Sequence, residues 1–455
     1  MRSFLEHAGG PPATVLVRGA RLFDPRAGID GAADLLLRGG EVAELGEGLA
    51  APEGAEVVDA VGLHALPAFV DPHVHLRTPG REDEEDVDSG TRAAAAGGFC
   101  AILAMPNTDP VVDSAPVLRS LRERARAEAR VPTGFLAAIT RGQRGEELTE
   151  MAELAGAGAP GFTDDGLPVR SAGVMRQALQ YQRLSGGTLA LHEEDPTLSG
   201  AGAMHEGERS ALLGLAGIPS VSESTMVARD CELAAYEGGR IHVQHLSARE
   251  SVTAIERAKA AGVRVTCEAT PHHLLLTDEA VLGVIPTGQP SHRTLDANAK
   301  MNPPLREEAD RQALIEALRA GTIDCVATDH APHAREEKEQ PFELAPMGVT
   351  GLETAFAALY SGLVGPGVIG LGRLVERMTA GGEPFGVPAP SLAAGSPANV
   401  CLVDLDADWQ VGEAGYESRS SNCAFAGRRL RGRVRMTIAA GTVAYRERSF
   451  ALGVA

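Results

Sequence analysis

The strongest constraint on the fold is an alternation that runs through the middle of the chain. Eight apolar stretches of strand length occupy 63–71, 99–105, 133–139, 160–163, 187–191, 240–244, 264–269 and 323–328. Between them lie segments of helix length rich in Ala, Leu, Arg and Glu, such as 117–129, 174–184, 223–236, 251–261 and 309–320. Strand followed by helix, repeated, is the pattern of a parallel sheet covered by helices. Eight such units predict an α/β fold of the (β/α)8 TIM-barrel type, in which functional groups gather at the C-terminal strand ends.

Those ends are rich in polar chemistry. The first strand runs into Val70-Asp71-Pro72-His73-Val74-His75-Leu76-Arg77. Side chains alternate along a strand, so His73 and His75 project from one face and can chelate a borderline metal such as zinc. The second strand ends in Pro106-Asn107-Thr108 and the fourth in Asp164-Asp165-Gly166. The fifth gives His192-Glu193-Glu194-Asp195, and the sixth gives His242 and His245. The seventh gives Thr270-Pro271-His272-His273, and the eighth Asp329-His330-Ala331-Pro332-His333. Any one of these has a plain structural explanation as a helix cap or a carbonyl partner. Together, at one end of successive strands, they predict a metal hydrolase with open positions for water and substrate.

Composition narrows the alternatives. The 455 residues carry a formal net charge of −19, which argues against nucleic acid or an anionic membrane as a partner. No apolar run is long enough to span a bilayer, and the first twelve residues lack the pattern of a signal peptide, so a cytoplasmic location is expected. The six cysteines are scattered with no C-x-x-C pair and are expected to be buried, reduced thiols. Short glycine-punctuated strands occur in 14–60 and again in 398–446, which predicts one small β-sandwich domain built from both termini. The expected division is a flexible leader at 1–12, β-domain segments at 13–62 and 391–455, and the barrel at 63–390.

Five motifs carry a resemblance: Asp71-Pro-His-Val-His-Leu-Arg-Thr-Pro-Gly80, Met105-Pro-Asn-Thr108, Phe162-Thr-Asp-Asp-Gly166, Lys300-Met-Asn-Pro-Pro-Leu-Arg306 and Thr328-Asp-His-Ala-Pro-His333. Pro346-Met-Gly348 and Gly351-Leu-Glu-Thr354 add to them. The chain resembles the amidohydrolase superfamily and, within it, the type I bacterial dihydroorotases, from about residue 14 onwards. The resemblance implies one zinc on His73, His75 and Asp329, and a second on His192 and His245, bridged by Asp165 and a hydroxide. One zinc as purified is compatible with it. It implies Asp329 as the catalytic base and acid, and a substrate carboxylate held by Arg77, Asn107 and His333. Asn302, Met347 and Gly348 would meet the ring amides. The implied reaction interconverts N-carbamoyl-L-aspartate and dihydroorotate in pyrimidine synthesis. A homodimer and an aspartate transcarbamoylase are the macromolecular partners that the resemblance allows.

Many binuclear relatives in that superfamily bridge their metals with a carboxylated lysine. Lysine occurs here only at Lys259, Lys300 and Lys338, so none lies between His75 and His192. Two other readings stay open at this stage: a hydantoinase, dihydropyrimidinase or allantoinase, and a non-catalytic scaffold for a transcarbamoylase. Arg77 and Asn107 favour a substrate with a free carboxylate, and the complete ligand set disfavours the scaffold. Glu193 and the rather long loop 284–293 depart from the pattern. The run Glu82-Asp-Glu-Glu-Asp-Val-Asp88 is expected to be a solvated turn and helix start. His64 and His205 are expected to be structural or at the surface. The segment 334–347 is expected to be an exposed loop, placed where it could act as a lid.

Overall fold

The computed structural model describes residues 4–284, 290–448 and 450. All eight expected strands are present. β1 (Phe69–Val74), β2 (Phe99–Ala104) and β3 (Thr133–Phe135) form one parallel arc. β4 (Gly161–Thr163), β5 (Thr188–Leu191), β6 (Arg240–Val243), β7 (Arg264–Ala269) and β8 (Cys325–Val326) form a second. Single parallel bridges, Ala137 to Phe162 and Val74 to His330, join the arcs at both seams and close the barrel. β2 is buried along its whole length, as a strand covered on both faces must be. Phe69 anchors the packing outside β1, stacked on Phe356 at 5.3 Å and edge-on to Phe99 at 5.8 Å.

The expected first strand divides in two. His64–Pro67 belongs to the other sheet, antiparallel to Val400–Gln410 and parallel to Val15–Asp24. Phe69 then opens the barrel strand. Pro67 has no N–H to continue the ladder, and Ala68 turns its N–H to Asn399 as the chain passes between sheets. The sheet reached this way has eight strands and draws on both ends of the chain, from Val15–Asp24 to Thr442–Arg446. It has a core of its own, which includes Val15, Leu35, Val58, Leu402 and Met436.

The stretch expected as a loose leader is docked over its described part. Glu6 exchanges backbone hydrogen bonds with Thr133, and its carboxylate meets Arg122 and Arg126. Its anchors lie more than a hundred residues away, so local composition could not show them. Of the loop 284–293, residues 285–289 lie outside the described residues, and the flanking strands Leu282–Val284 and Pro290–Leu295 pair antiparallel. All six cysteines are buried and free. No helix among the described residues is long and apolar enough to cross a membrane.

Candidate active site

The strand ends converge on one carboxylate. His73 and His75 follow from β1, Asp165 from β4, His192 from β5, His245 from β6 and Asp329 from β8. Around Asp165 stand His73 Nε2 at 3.4 Å, His75 Nε2 at 3.5 Å, His245 Nε2 at 3.7 Å and His192 Nδ1 at 3.8 Å. Asp329 Oδ1 lies 3.1 Å from His75 Nε2 and 3.4 Å from His73 Nε2. Asp164, the residue before Asp165, faces away and accepts backbone N–H bonds from Ile139 and Thr140. Only Asp165 therefore enters the centre. Arg77, His245 and Asp329 all hold positive φ (55°, 29° and 47°), a conformation that costs non-glycine residues energy and concentrates at functional sites.

The outer ring nitrogens define the inner ones. His73 Nδ1 is 2.7 Å from Glu268 Oε1, His75 Nδ1 is 2.9 Å from Asn107 Oδ1, and His192 Nε2 is 3.1 Å from Glu194 Oε2. Each partner is an acceptor, so each outer nitrogen donates, and the inner lone pair is left to face the centre. His73 Nε2 is buried without a hydrogen-bond partner among the described residues. His192 Nδ1 and His245 Nε2 face each other at 3.0 Å. There are two sets of ligand atoms, from His73, His75 and Asp165 and from Asp165, His192 and His245, and within each set the atoms lie no more than 4.8 Å apart. Nitrogen and carboxylate donors gathered this way, with Asp165 common to both sets, fit a metal centre.

The electrostatics agree with that fit. Burial alone would raise the Asp165 carboxyl, but the surrounding imidazoles, His73 foremost, hold it well below the usual range. The Asp329 carboxyl is likewise low, burial being outweighed by His73 and His75. Burial would lower His73, yet Asp165, Asp329 and Glu268 raise it well above the ordinary value. The carboxylates of the centre thus call for positive charge.

Above the centre lies a cavity of about 230 Å³. Arg77, Asn107, Asn302, His333, Met347 and Gly348, the six expected substrate contacts, all line it. Asn107 also orients His75, and Asn302 Nδ2 donates to Glu194 at 2.6 Å. Gly348 has φ 137°, and a Cβ there would come within 2.9 Å of His333 Nε2. Glu193 is buried behind His192, against Asp230 and Arg229, and burial raises its carboxyl well above the usual range. His272 and His273 are buried beside the centre, and His273 binds Thr270 and the Pro303 carbonyl. His205 is buried against Arg306, whereas half-buried His64 lies in the strand that joins the two sheets.

Two expectations around the cavity need correction. The acidic run 82–88 is not uniformly solvated: Glu84 and Glu85 are fully buried. Glu85 accepts from His330 Nε2 at 3.1 Å and is met by Ser418, and Glu84 contacts Arg77, Arg81 and His333. The segment 334–347 is not a free loop either. Lys338 is buried and donates to the carbonyls of Lys300, Pro346 and Gly348. Lys300 in turn donates to Phe342, Glu343 and Ala345.

Sequence reasoning missed Glu268, Glu194, Glu84 and Asn422. Glu268 left one signal, a carboxylate next to the C-terminal end of a barrel strand. Asn422 left none: it comes from the C-terminal segment, where its amide ties Ala331 O and Gly348 O together and accepts from the His333 N–H.

Comparison with known proteins places this geometry among relatives. The family model described as dihydro-orotase-like matches residues 62–251. A dihydroorotase of Anaeromyxobacter dehalogenans strain 2CP-1 is 46% identical over 434 residues, covering 95% of this chain and 98% of that protein. One of Geobacter sp. strain M21 is 44% identical over 432 residues, covering 95% and 99%. Among solved structures, the L-hydantoinase (dihydropyrimidinase) of Arthrobacter aurescens matches with a TM-score of 0.82 at 26% identity, over 95% of this chain and 96% of that one. The dihydropyrimidinase of Brevibacillus agri shares the fold with a TM-score of 0.81 at 24% identity, over 95% of each chain.

Proposed function

From the premise that this chain belongs to the dihydroorotase family, we propose that it interconverts N-carbamoyl-L-aspartate and (S)-dihydroorotate. The observation that carries the reading is Arg77, a guanidinium at the wall of the cavity above the histidine–carboxylate centre, with Asn107 and His333 beside it. A substrate with a free carboxylate needs such a cation, and a planar fork matches its geometry. A neutral cyclic amide does not.

Two zinc ions, one on His73, His75 and Asp329 and one on His192 and His245 with Asp165 shared, would supply charge that acidifies water and polarises the ring carbonyl. The remaining work falls to side chains. Arg77, Asn107 and His333 hold the carboxylate, and Asn302 with the Met347–Gly348 backbone aligns the ring amides. Asp329 Oδ1 takes a proton from the attacking water and returns it to the ring nitrogen as the C–N bond breaks. That leaves a carboxylate and a ureido amine, and in the synthetic direction the same carboxyl works in reverse.

Zinc-reconstituted protein assayed side by side with dihydroorotate, dihydrouracil, hydantoin and allantoin tests the reading. Dihydroorotate should be turned over with the highest kcat/KM, and Arg77→Met should raise its KM steeply with metal content unchanged. Turnover of dihydrouracil equal to that of dihydroorotate, or normal kinetics in the Arg77→Met protein, would overturn it.

A further inference from the structure

We propose that Glu84 is a positioning residue for substrate binding, a single buried carboxylate that locks Arg77 and His333 into one carboxylate-binding unit. The inference rests on the proposed function and extends it to a residue outside the cavity wall.

Arg77 and His333 belong to different strand ends, 256 residues apart in the chain. Neither side chain is placed by its own backbone alone. Glu84 sits between them on the turn that follows β1, fully buried. Its Oε1 lies 3.1 Å from His333 Nδ1 and 2.7 Å from Arg81 Nη2, and its Oε2 lies 3.3 Å from Arg77 Nε. A buried carboxylate is costly unless cations or donors surround it, and here two of the three around it are the expected carboxylate contacts.

The contacts fix orientation as well as place. The His333 ring is pinned at both nitrogens: Nδ1 lies 3.1 Å from Glu84 Oε1, and Nε2 lies 2.9 Å from the Met347 carbonyl and 3.4 Å from Arg77 Nη2. The single Arg77 Nε–H goes to the Pro332 carbonyl at 3.0 Å, Glu84 Oε2 faces that edge as a charge at 3.3 Å, and Nη2 lies on the His333 side. The turn itself is anchored from the terminal β-domain, because Ser420 Oγ donates to the Glu84 carbonyl at 2.7 Å. Glu84, His333 and Glu337 cluster as a metal site would, but Arg81 already bridges the two carboxylates there. The group is therefore a charge-balanced bracket for the clamp.

The test uses zinc-reconstituted full-length protein. Glu84→Ala should raise KM for both dihydroorotate and N-carbamoyl-L-aspartate about 10- to 100-fold, the effect of misaligned binding groups, with a much smaller change in kcat. Glu84→Gln keeps the shape and an acceptor oxygen and should show a smaller rise, so it serves if the alanine protein folds poorly. Zinc content should stay normal in both. In an Arg77→Met background, Glu84→Ala should raise KM by less than it does alone, because only His333 is left for it to position. An unchanged or lower KM in a folded Glu84 variant, a fall in kcat alone, or full additivity with Arg77→Met would overturn the proposal. If Arg77→Met itself leaves KM unchanged, the carboxylate reading fails. If only the Glu84 variants are silent, this inference alone fails.

Discussion

His73 Nδ1 and Glu268 Oε1 lie 2.7 Å apart in the barrel interior, and the other Glu268 oxygen takes His242 Nε2 at 2.9 Å. Burial would raise the Glu268 carboxyl, but His73 and His242 bring it down to about 2. The carboxylate thus fixes the tautomer of a histidine expected to bind metal. Glu268→Gln should weaken metal affinity about 10- to 100-fold, read by chelator competition with the folded protein. Unaltered affinity would show that His73 is oriented by its packing alone.

Asp165 stands where both sets of donors meet, and no lysine is available nearby in the chain. Activity after metal reconstitution should be the same with and without bicarbonate. Asp165→Ala should lose about one metal equivalent, measured by atomic absorption, and nearly all turnover. A bicarbonate requirement would place the bridge elsewhere.

Asp329 touches both His73 and His75 and also lines the cavity. Asp329→Asn should depress ring opening and ring closure together, by about 10²–10⁴-fold, since one carboxyl serves as base in one direction and acid in the other. Rates are to be compared at matched metal content. Near-normal rates in both directions would move the proton transfer to another group.

Lys338 closes the segment 334–347 with three hydrogen bonds to carbonyls. Lys338→Met removes all three, but Gly348 O keeps the Asn422 amide and Lys300 O keeps the Gly348 N–H, so the loss falls on the Pro346 carbonyl, at about 1–3 kcal/mol. Limited trypsin digestion at Arg335 should become several-fold faster in the variant, in the manner of a local opening. Equal digestion rates would mean that Lys300 holds the segment unaided.

What was legible in the sequence follows from distance along the chain. Strand ends with histidines two apart, or an Asp-Asp-Gly after a short strand, carry their meaning locally, and the structure brings His73, His75 and Asp165 together while Asp164 turns to the backbone. The three residues of β4 could still be found, because glycine and proline bracket them. Glu84 and Glu85 were misread for the opposite reason. An acidic run has the composition of a wet turn, while the partners that bury these two, His333, His330 and Ser418, lie 249, 245 and 333 residues onward. The first strand was read as one because apolar patterning does not record a change of sheet, and the break at Ala68 is set by ladders whose other rails begin at Val15 and Val400.

The scarcity of lysine gives the protein a chemical handle. Lys300 and Lys338 are buried under the carbonyls they bind, and Lys259 keeps about a quarter of its side chain in solvent beside Asp324. An acylating reagent therefore meets one accessible side-chain amine while the 334–347 segment is seated, and Lys300 and Lys338 only while it is lifted. The peptide carrying Lys338 becomes a clock for that opening: its acylation rate, followed by mass spectrometry, reads how often the segment leaves the Lys338 amine, with Lys259 in the same molecule as the internal standard.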